Sequence, residues 1–249
     1  MKIKKYEVIT AIILLTSMIV AGYVYYSAYS VADDFNDIEA AVKEYVGSDS
    51  QKNIQVLETA KTNNSMYALY TTSERGFKGI VAFERGLNLR WKPVGARSVL
   101  TGDPIARTSS LDDVVIYGVN VDQRAVSYEY YDETTNEILY ANSITEPDFI
   151  DIFEPAESQD MRGRTELRIL DDQGNDIRKE LYVDYGSVGS SSTFPEFRHA
   201  EDALAAAVLM IGLALSIFFW KYCKDEEEFN LSFEKTKLEK IKNETELKN

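Results

Sequence analysis

The pattern of apolar positions along the chain begins with an uncharged run, passes into alternating segments, and returns to a second apolar run. Residues 8–29 (VITAIILLTSMIVAGYVYYSAY) carry no charge, and residues 203–222 (ALAAAVLMIGLALSIFFWKY) are apolar up to Lys221. A helix rises ~1.5 Å per residue, so about 20 apolar residues cross a hydrocarbon core of roughly 30 Å. Both runs therefore predict transmembrane helices, and the aromatic residues at their ends suit the headgroup level.

Small residues recur at helical spacing within both runs. Ser17 and Ala21 lie four residues apart in the first run, and Gly212 and Ser216 do so in the second. Such pairs allow two membrane helices to pack closely, although small residues are also simply common in membrane helices. Neither run contains an ionisable residue in its interior, which argues against an ion or transport pathway within these two spans.

The charges that flank the two runs predict the orientation of the chain. Lysines precede the first run and follow the second, whereas acidic residues flank the segment between them: Lys2, Lys4, Lys5, Asp33, Asp34, Glu201, Asp202, Lys221 and Lys224. Cytoplasmic flanks carry the excess of Lys and Arg. Residues 1–7 and 223–249 are therefore expected in the cytoplasm of a two-pass protein of the cell membrane, with residues 30–202 outside.

A cleaved signal peptide is the alternative for the first run. The basic start and the small residues Ala28 and Ser30 around Tyr29 fit a cleavage site. The apolar stretch is long for a signal peptide, however, and its four tyrosines near the far end are typical of an anchor. A retained first span is the favoured interpretation.

Between the runs, the apolar period first indicates a helix and then strands. Asp33–Val46 predicts a short amphipathic helix. The period of two that follows predicts strands at Ile54–Thr62, Met66–Thr72, Phe77–Glu84, Leu89–Val99, Val114–Val121, Ala125–Asp132, Glu137–Ile144, Arg164–Leu170 and Ile177–Tyr185. Turn residues at 63–64, 85–88 and 171–176 predict antiparallel hairpins.

The predicted fold class is α+β: two transmembrane helices flank a predominantly antiparallel β domain with a short N-terminal amphipathic helix. An irregular linker is expected over residues 100–113, dividing the domain into possible lobes at 33–104 and 105–185. Residues 186–193 (GSVGSSST) have the composition of a flexible linker. The tail after residue 222 has a weak amphipathic pattern, which predicts either a contact helix or a solvated end.

Charge and cysteine content exclude several classes of protein. The net charge of the whole chain is −14. Residues 30–202 are acidic by themselves, with 32 Asp and Glu against 17 Lys and Arg. Such an acidic surface disfavours nucleic acid, whose affinity comes from cations that neutralise phosphates, and should also repel anionic lipid. Cys223 is the one cysteine in the 249 residues, so no internal disulfide forms. Disulfide-rich secreted scaffolds are therefore excluded.

The sequence predicts no catalytic, cofactor-binding or metal-binding residue. His199 is the single histidine, which rules out multi-histidine zinc sites and makes a histidine-dependent triad hard to assemble. Signatures of serine nucleophiles and of phosphate-binding loops are absent. The acidic turn at 171–176 fails as a calcium loop, because its sixth position is Asp176 rather than Gly and its twelfth is Tyr182 rather than Glu.

One group of cations and aromatic residues stands out as a possible partner surface. Six of the 17 cations of residues 30–202 fall within residues 75–97. We call the following residues the basic–aromatic set: Arg75, Lys78, Arg85, Arg90, Trp91, Lys92 and Arg97. Strand alternation would place several of them on one face. That face would bind an anionic partner or balance the acids of other strands, and the second interpretation is favoured.

The function expected from these features is that of a membrane-anchored binding module, an accessory subunit or sensor of a larger membrane complex. Its expected partners are a membrane protein or an extracytoplasmic ligand, together with the lipid bilayer, and no cofactor is expected. The alternative is a membrane-tethered hydrolase that uses carboxylates or a lone serine, since two acids need only be adjacent in space.

Overall fold

The computed structural model describes residues 5–46, 54–72, 78–99, 105–110, 113–120, 122–153, 164–185, 190–193 and 200–246. The chain divides into two compact units. Met1–Ala28 and His199–Asn249 form a helical unit, and Tyr29–Arg198 form a sheet domain. The protein is thus α+β, with a β-rich domain and two long apolar helices.

The helical unit consists of α1 (Lys5–Ala28) and α4 (Ala200–Glu246). Both are long and apolar enough to cross a membrane by length and composition, and only 6% and 17% of their most apolar windows are buried. α4 continues without a break past the predicted end of the second apolar run, so the tail is helical to Glu246, while its contact role stays a prediction.

Close packing of α1 on α4 depends on the small residues. A Cβ atom added to Gly212 would lie 2.0 Å from Ser17 Oγ, and Ala21 and Ser216 are both buried. The packing interpretation of the small-residue pairs is therefore confirmed.

The sheet domain begins with helix α2 (Phe35–Val46), as predicted. Its start is capped by Asp34, whose Oδ1 accepts a hydrogen bond of 2.9 Å from the Asn36 backbone N–H. Ile38 and Val42, one turn apart, are buried against the strands that follow. Spacing and cap together determine this helix.

Within the described residues, eleven strands form three antiparallel sheets. The first sheet has the order β1-β2-β3-β4-β11, the second β5-β6-β9 and the third β10-β7-β8. Their bounds are β1 Ile54–Lys61, β2 Ser65–Thr72, β3 Lys78–Arg85, β4 Trp91–Val99, β5 Ile105–Ser110, β6 Asp113–Val119, β7 Ser127–Asp132, β8 Ile138–Ser143, β9 Asp148–Phe153, β10 Thr165–Leu170 and β11 Ser190–Thr193.

Three apolar cores stack these elements in layers. The first core lies between α2 and the first sheet, and it contains Trp91. The second core joins the first sheet to the second through Tyr67 and Tyr117. The third joins the second sheet to the third and to helix α3 (Arg178–Tyr185). Alternate side chains of β6 enter the second and third cores, so every residue of this strand is buried.

The expected irregular linker at 100–113 is wrong for Ile105–Ser110, which form β5 and pair with β6. Strand β9 was not predicted, and it too pairs with β6. Both strands are covered on two faces. In β5, for example, Ile105 enters the third core and Ala106 enters the second. A strand buried on two faces lacks the apolar–polar alternation of a half-buried strand, which is the signal that marks strands in the sequence.

Two predictions near the end of the domain are also wrong. Arg178–Tyr185 form helix α3 rather than a strand. Asp176 Oδ1 caps the helix by accepting from the Arg178 N–H at 3.0 Å, and Ile177 and Leu181, four residues apart, enter the third core. Within the expected flexible linker, Ser190–Thr193 form β11 on the open edge of β4, because an edge strand needs a partner for its backbone groups.

Candidate functional site

The structure distributes the basic–aromatic set rather than gathering it on one face. Arg85 lies opposite Trp91, whose ring belongs to the core beneath α2. Arg97 lies opposite Ile80, whose side chain belongs to the core between the first and second sheets. Arg75 lies outside the described residues. The cations of the set within the described residues thus lie in different surroundings.

Three members of the set meet the first residues of the sheet domain. Arg90 Nη1 donates to the Ser30 carbonyl at 2.7 Å. Asn88 Nδ2 donates to the Tyr29 carbonyl at 2.9 Å, and Lys92 Nζ lies 5.3 Å from the centroid of the Tyr29 ring. The bonds of Val31 to Trp91 complete the arrangement. We call residues 29–31 and 86–92 the entry clamp, because they fix the chain where it enters the domain.

Arg97 begins a chain of contacts that runs through all three sheets. Its Nη1 donates to the Arg107 carbonyl in β5 at 2.6 Å. Arg107 in turn donates from Nη1 to the Tyr130 hydroxyl at 2.8 Å and also reaches Thr165. Tyr130 and Thr165 belong to β7 and β10 of the third sheet. We call Arg97, Arg107, Tyr130 and Thr165 the arginine relay.

A second polar cluster joins the second and third sheets around the Asp151 carboxylate. It accepts hydrogen bonds from Asn142 Nδ2 at 2.6 Å, from Tyr140 Oη at 3.2 Å and from Tyr128 Oη. Burial, and secondly Asp151, raise the pKa of both Tyr128 and Tyr140. The phenols therefore stay protonated and donate to the carboxylate. Three donors satisfy this carboxylate, which thereby connects the second and third sheets.

Four acids interact with one another or with Lys78 near the start of β9. The pKa of Glu58 is raised first by burial and then by the charges of Glu146 and Asp148. Burial lowers the pKa of Lys78, a member of the basic–aromatic set, whereas Asp148 and Asp122 act to raise it. Among the described residues, no group of three or more His, Cys, Asp or Glu side chains is arranged to hold a metal ion. A carboxyl group with a raised pKa is, in chemical terms, a possible proton donor.

The acidic turn at 171–176 is satisfied by its own chain. Asp171 Oδ1 accepts from the backbone N–H groups of Gln173 at 2.9 Å and Asn175 at 2.7 Å. The Asn175 side chain and these N–H groups hold the pKa of Asp171 below its usual value. The turn itself is confirmed, although a helix and not a second strand follows it.

Comparison with protein-family models, with curated proteins and with solved structures finds no match to this chain. Function must therefore be argued from the residues themselves.

Sequence reasoning missed the Asp151 cluster and Arg107. Tyr128 and Tyr140 were recognised only as strand residues, and Asp151 lies in β9, which was not predicted. A signal did exist: Asp151 is a lone acid between Ile150 and Ile152. An acid flanked by apolar residues that enter a core needs partners on the opposite face.

Proposed function

We propose that this chain is a two-pass membrane protein with both termini in the cytoplasm, and that residues 30–202 form a binding module outside it. Residues 8–29 and 203–222 are the two spans. The protein acts without catalysis, as an accessory subunit or sensor of a larger membrane complex. Its partners are a membrane protein or an extracytoplasmic ligand, and the bilayer.

The observation that carries this proposal is that both ends of the sheet domain pair with one strand, β4. Val31 bridges Trp91 at the start of β4, and Ser190–Thr193 pair with Val99–Ala96 near its end. The second pairing is antiparallel, so β11 runs towards the start of β4. Within the described residues, β11 thus runs towards the point where the chain enters the domain. Two ends that approach one edge suit a domain tethered twice to the same bilayer.

The hydrogen bonds of the polar side chains support a binding role over catalysis. Arg90 and Arg97 donate to carbonyls of their own domain, and Asp151 is satisfied by three side chains. Groups engaged in this way position and connect strands. The arginine relay links the third sheet to β4, on which both tethers pair. Signal transfer along it requires that these elements have two arrangements that a ligand biases.

The unique Cys223 provides the test of topology. A membrane-impermeant maleimide applied to intact cells is expected to leave Cys223 unlabelled and to label it after the membrane is opened. The control variant Cys223→Ser carrying Asn63→Cys, in the turn between β1 and β2, is expected to be labelled in intact cells. Labelling of Cys223 in intact cells would reverse the proposed orientation.

The binding role is tested by comparing three forms of the protein. The full chain, a chain ending after Thr193, and a chain whose residues 203–222 are replaced by an unrelated apolar span are purified from gently solubilised membranes. A partner that accompanies the full chain but not the truncated one supports a role for both tethers. Full rescue of a deletion phenotype by the truncated chain would contradict the sensor proposal.

A tethered hydrolase is the second candidate, favoured by the clustering of Glu58 with Glu146 and Asp148, where burial and then these two charges raise the pKa of the Glu58 carboxyl. Glu58→Gln keeps the shape and removes the acid. A hydrolase that uses Glu58 as its acid would lose at least about 100-fold of its activity in this variant. The binding module would keep its partner and its phenotype.

A further inference from the structure

The turn between β3 and β4 presents two leucines to the surroundings. Leu87 is 92% exposed and Leu89 is 66% exposed. They are the two most exposed large apolar side chains in the described part of the sheet domain. Single exposed apolar residues are ordinary, but two at one tip form a small apolar projection.

The backbone of this turn holds Leu89 in an unusual conformation. The Leu89 N–H donates to the Gly86 carbonyl at 3.0 Å, and the Gly86 N–H donates to the Arg90 carbonyl at 2.8 Å. This is a turn followed by a bulge residue in the left-handed region, and Leu89 has a φ of 61°. Gly or Asn takes this position at lower cost. Leucine there directs an apolar side chain away from the sheet against the local backbone preference.

The entry clamp attaches this turn to the segment that follows the first apolar helix in the sequence. Asn88 and Arg90 bind the carbonyls of Tyr29 and Ser30, and Ala28 is the last residue of α1. A Cβ atom on Gly86 would lie 2.6 Å from the Tyr29 ring, so the turn and residue 29 are in direct contact. A chain extends at most ~3.6 Å per residue. A turn clamped to residues 29–31 cannot lie far from the membrane boundary if α1 ends there.

The charge around the turn differs from that of the rest of the domain. Arg85, which is exposed, and Arg90 flank the two leucines. The domain as a whole carries 32 acids against 17 cations and would be repelled by anionic lipid. At this tip, cations instead stand next to apolar side chains. Arg and Lys at a membrane boundary direct their charge to the headgroups while apolar residues enter the acyl region.

We propose that the turn Gly86–Leu89 is a membrane-surface anchor of the sheet domain. Leu87 and Leu89 enter the boundary between headgroups and acyl chains, and the exposed Arg85 adds a positive charge beside them. The occupant of the surface is the phospholipid bilayer in which α1 is embedded. This inference rests on the proposed two-pass topology and adds a third point of attachment, which limits how the domain can tilt.

The test uses the full chain in vesicles of phosphatidylcholine and phosphatidylglycerol. In a Cys223→Ser background, single cysteines replace Leu87, Leu89, Ile138 or Ile12 and carry an environment-sensitive fluorophore. Ile138, 50% exposed in β8, is the matched control, and Ile12 reports the first span. Lipids with spin labels near the headgroup are expected to quench the probes at 87 and 89 at least twofold more than the probe at 138.

The outcomes separate this inference from the proposal on which it rests. Equal quenching at 87, 89 and 138, with deep quenching at 12, would overturn the turn contact and leave the topology standing. Absence of quenching at 12 would overturn the topology itself, and the turn contact with it. Protection of the cysteine at 87 in native membranes without quenching in vesicles would indicate a covering protein and would also overturn the lipid proposal.

Discussion

Val31 and Trp91 exchange two backbone hydrogen bonds, with N–O distances of 3.1 and 2.9 Å. They join the segment that enters the sheet domain to the first residue of β4. The indole ring of Trp91 is 3% exposed and packs in the core that α2 covers. One residue thus fixes both the entering backbone and the apolar core below it.

Replacement of Trp91 tests this double role. Trp91→Ala is expected to lower the free energy of unfolding by about 3–5 kcal/mol, because it removes a large buried side chain and leaves a cavity. Its Nε1 is buried and has no hydrogen-bond partner among the described residues. Trp91→Phe keeps part of the apolar packing and loses no hydrogen bond, so it should cost clearly less than Trp91→Ala. Urea unfolding of residues 29–198 measures both, and a loss as large for Phe as for Ala would contradict the packing argument.

The Asp151 cluster predicts a strong coupling between residues in different sheets. Asp151→Ala is expected to cost about 1–3 kcal/mol, since it leaves the buried Tyr128 hydroxyl without its acceptor. In the Asp151→Ala variant, Tyr128→Phe should cost much less stability than it costs in the unmodified chain, because it removes the unsatisfied hydroxyl. Asp172→Ala, in an exposed turn, is the matched control and should change stability by less than about 0.5 kcal/mol. Additive costs for Asp151 and Tyr128 would contradict the cluster.

Alkaline pH is expected to destabilise the sheet domain through Tyr70. Burial raises the pKa of Tyr70 from 10.0 to about 12. The unfolded chain loses this proton first, so the contribution is intact below pH 10.0 and is lost as pH rises towards about 12. Tyr70→Phe should reduce the fall of the free energy of unfolding between pH 10 and about 12. Near neutral pH, it should change the free energy of unfolding by no more than about 1 kcal/mol. Unfolding midpoints measured against pH check the slope, and an unchanged slope would exclude Tyr70 as its cause.

The sequence predicted those parts of the fold in which local pattern and tertiary packing agree. Helix α2 has both a capping acid and buried residues at helical spacing, and β1 to β4 alternate between clear turns. The missed strand β9 carries Asp151 among apolar residues, and its partners lie in another sheet. No local pattern reports such partners. Helix α3 was mistaken for a strand because Tyr182 and its neighbours favour β-structure locally, whereas burial of Leu181 and the Asp176 cap determine a helix.

The candidate site was less accessible to sequence reasoning than the fold. The basic–aromatic set was identified from composition, but composition does not say which carbonyl each guanidinium reaches. Arg90 and Arg97 reach opposite regions of the domain, Ser30 and Arg107. A β-bulge between Ala82 and Phe83 shifts the register within β3 and β4, so simple alternation does not assign the faces.

Close packing of α1 on α4 predicts an asymmetry between two glycines. Gly212→Ala would place a Cβ atom 2.0 Å from Ser17 Oγ, whereas a Cβ atom on Gly22 meets nothing within 4 Å. Gly212→Ala is therefore expected to weaken the contact between the two helices, by about 1–3 kcal/mol, and Gly22→Ala to leave it unchanged. Combining Gly212→Ala with Ser17→Gly should restore it. Energy transfer between labelled helices in lipid reports all three, and equal effects at the two glycines would contradict this packing.

The left-handed conformation of Leu89 separates stability from membrane contact. A side chain in this region costs roughly 1–2 kcal/mol, part of which glycine gives back through its greater freedom in the unfolded chain. Leu89→Gly is therefore expected to raise the free energy of unfolding by up to about 1 kcal/mol. Leu87→Gly removes the same side chain from a residue without a positive φ and should bring no gain. Urea unfolding of residues 29–198 measures this difference in solution.

In vesicles, both variants should reduce the lipid quenching of a probe at the neighbouring leucine. Leu89 would then lower the stability of the free domain through its backbone conformation and, through its side chain, help to hold the domain to the bilayer. A Leu89→Gly variant that is less stable than Leu87→Gly would contradict the strain argument, and unchanged quenching in both would contradict the membrane role.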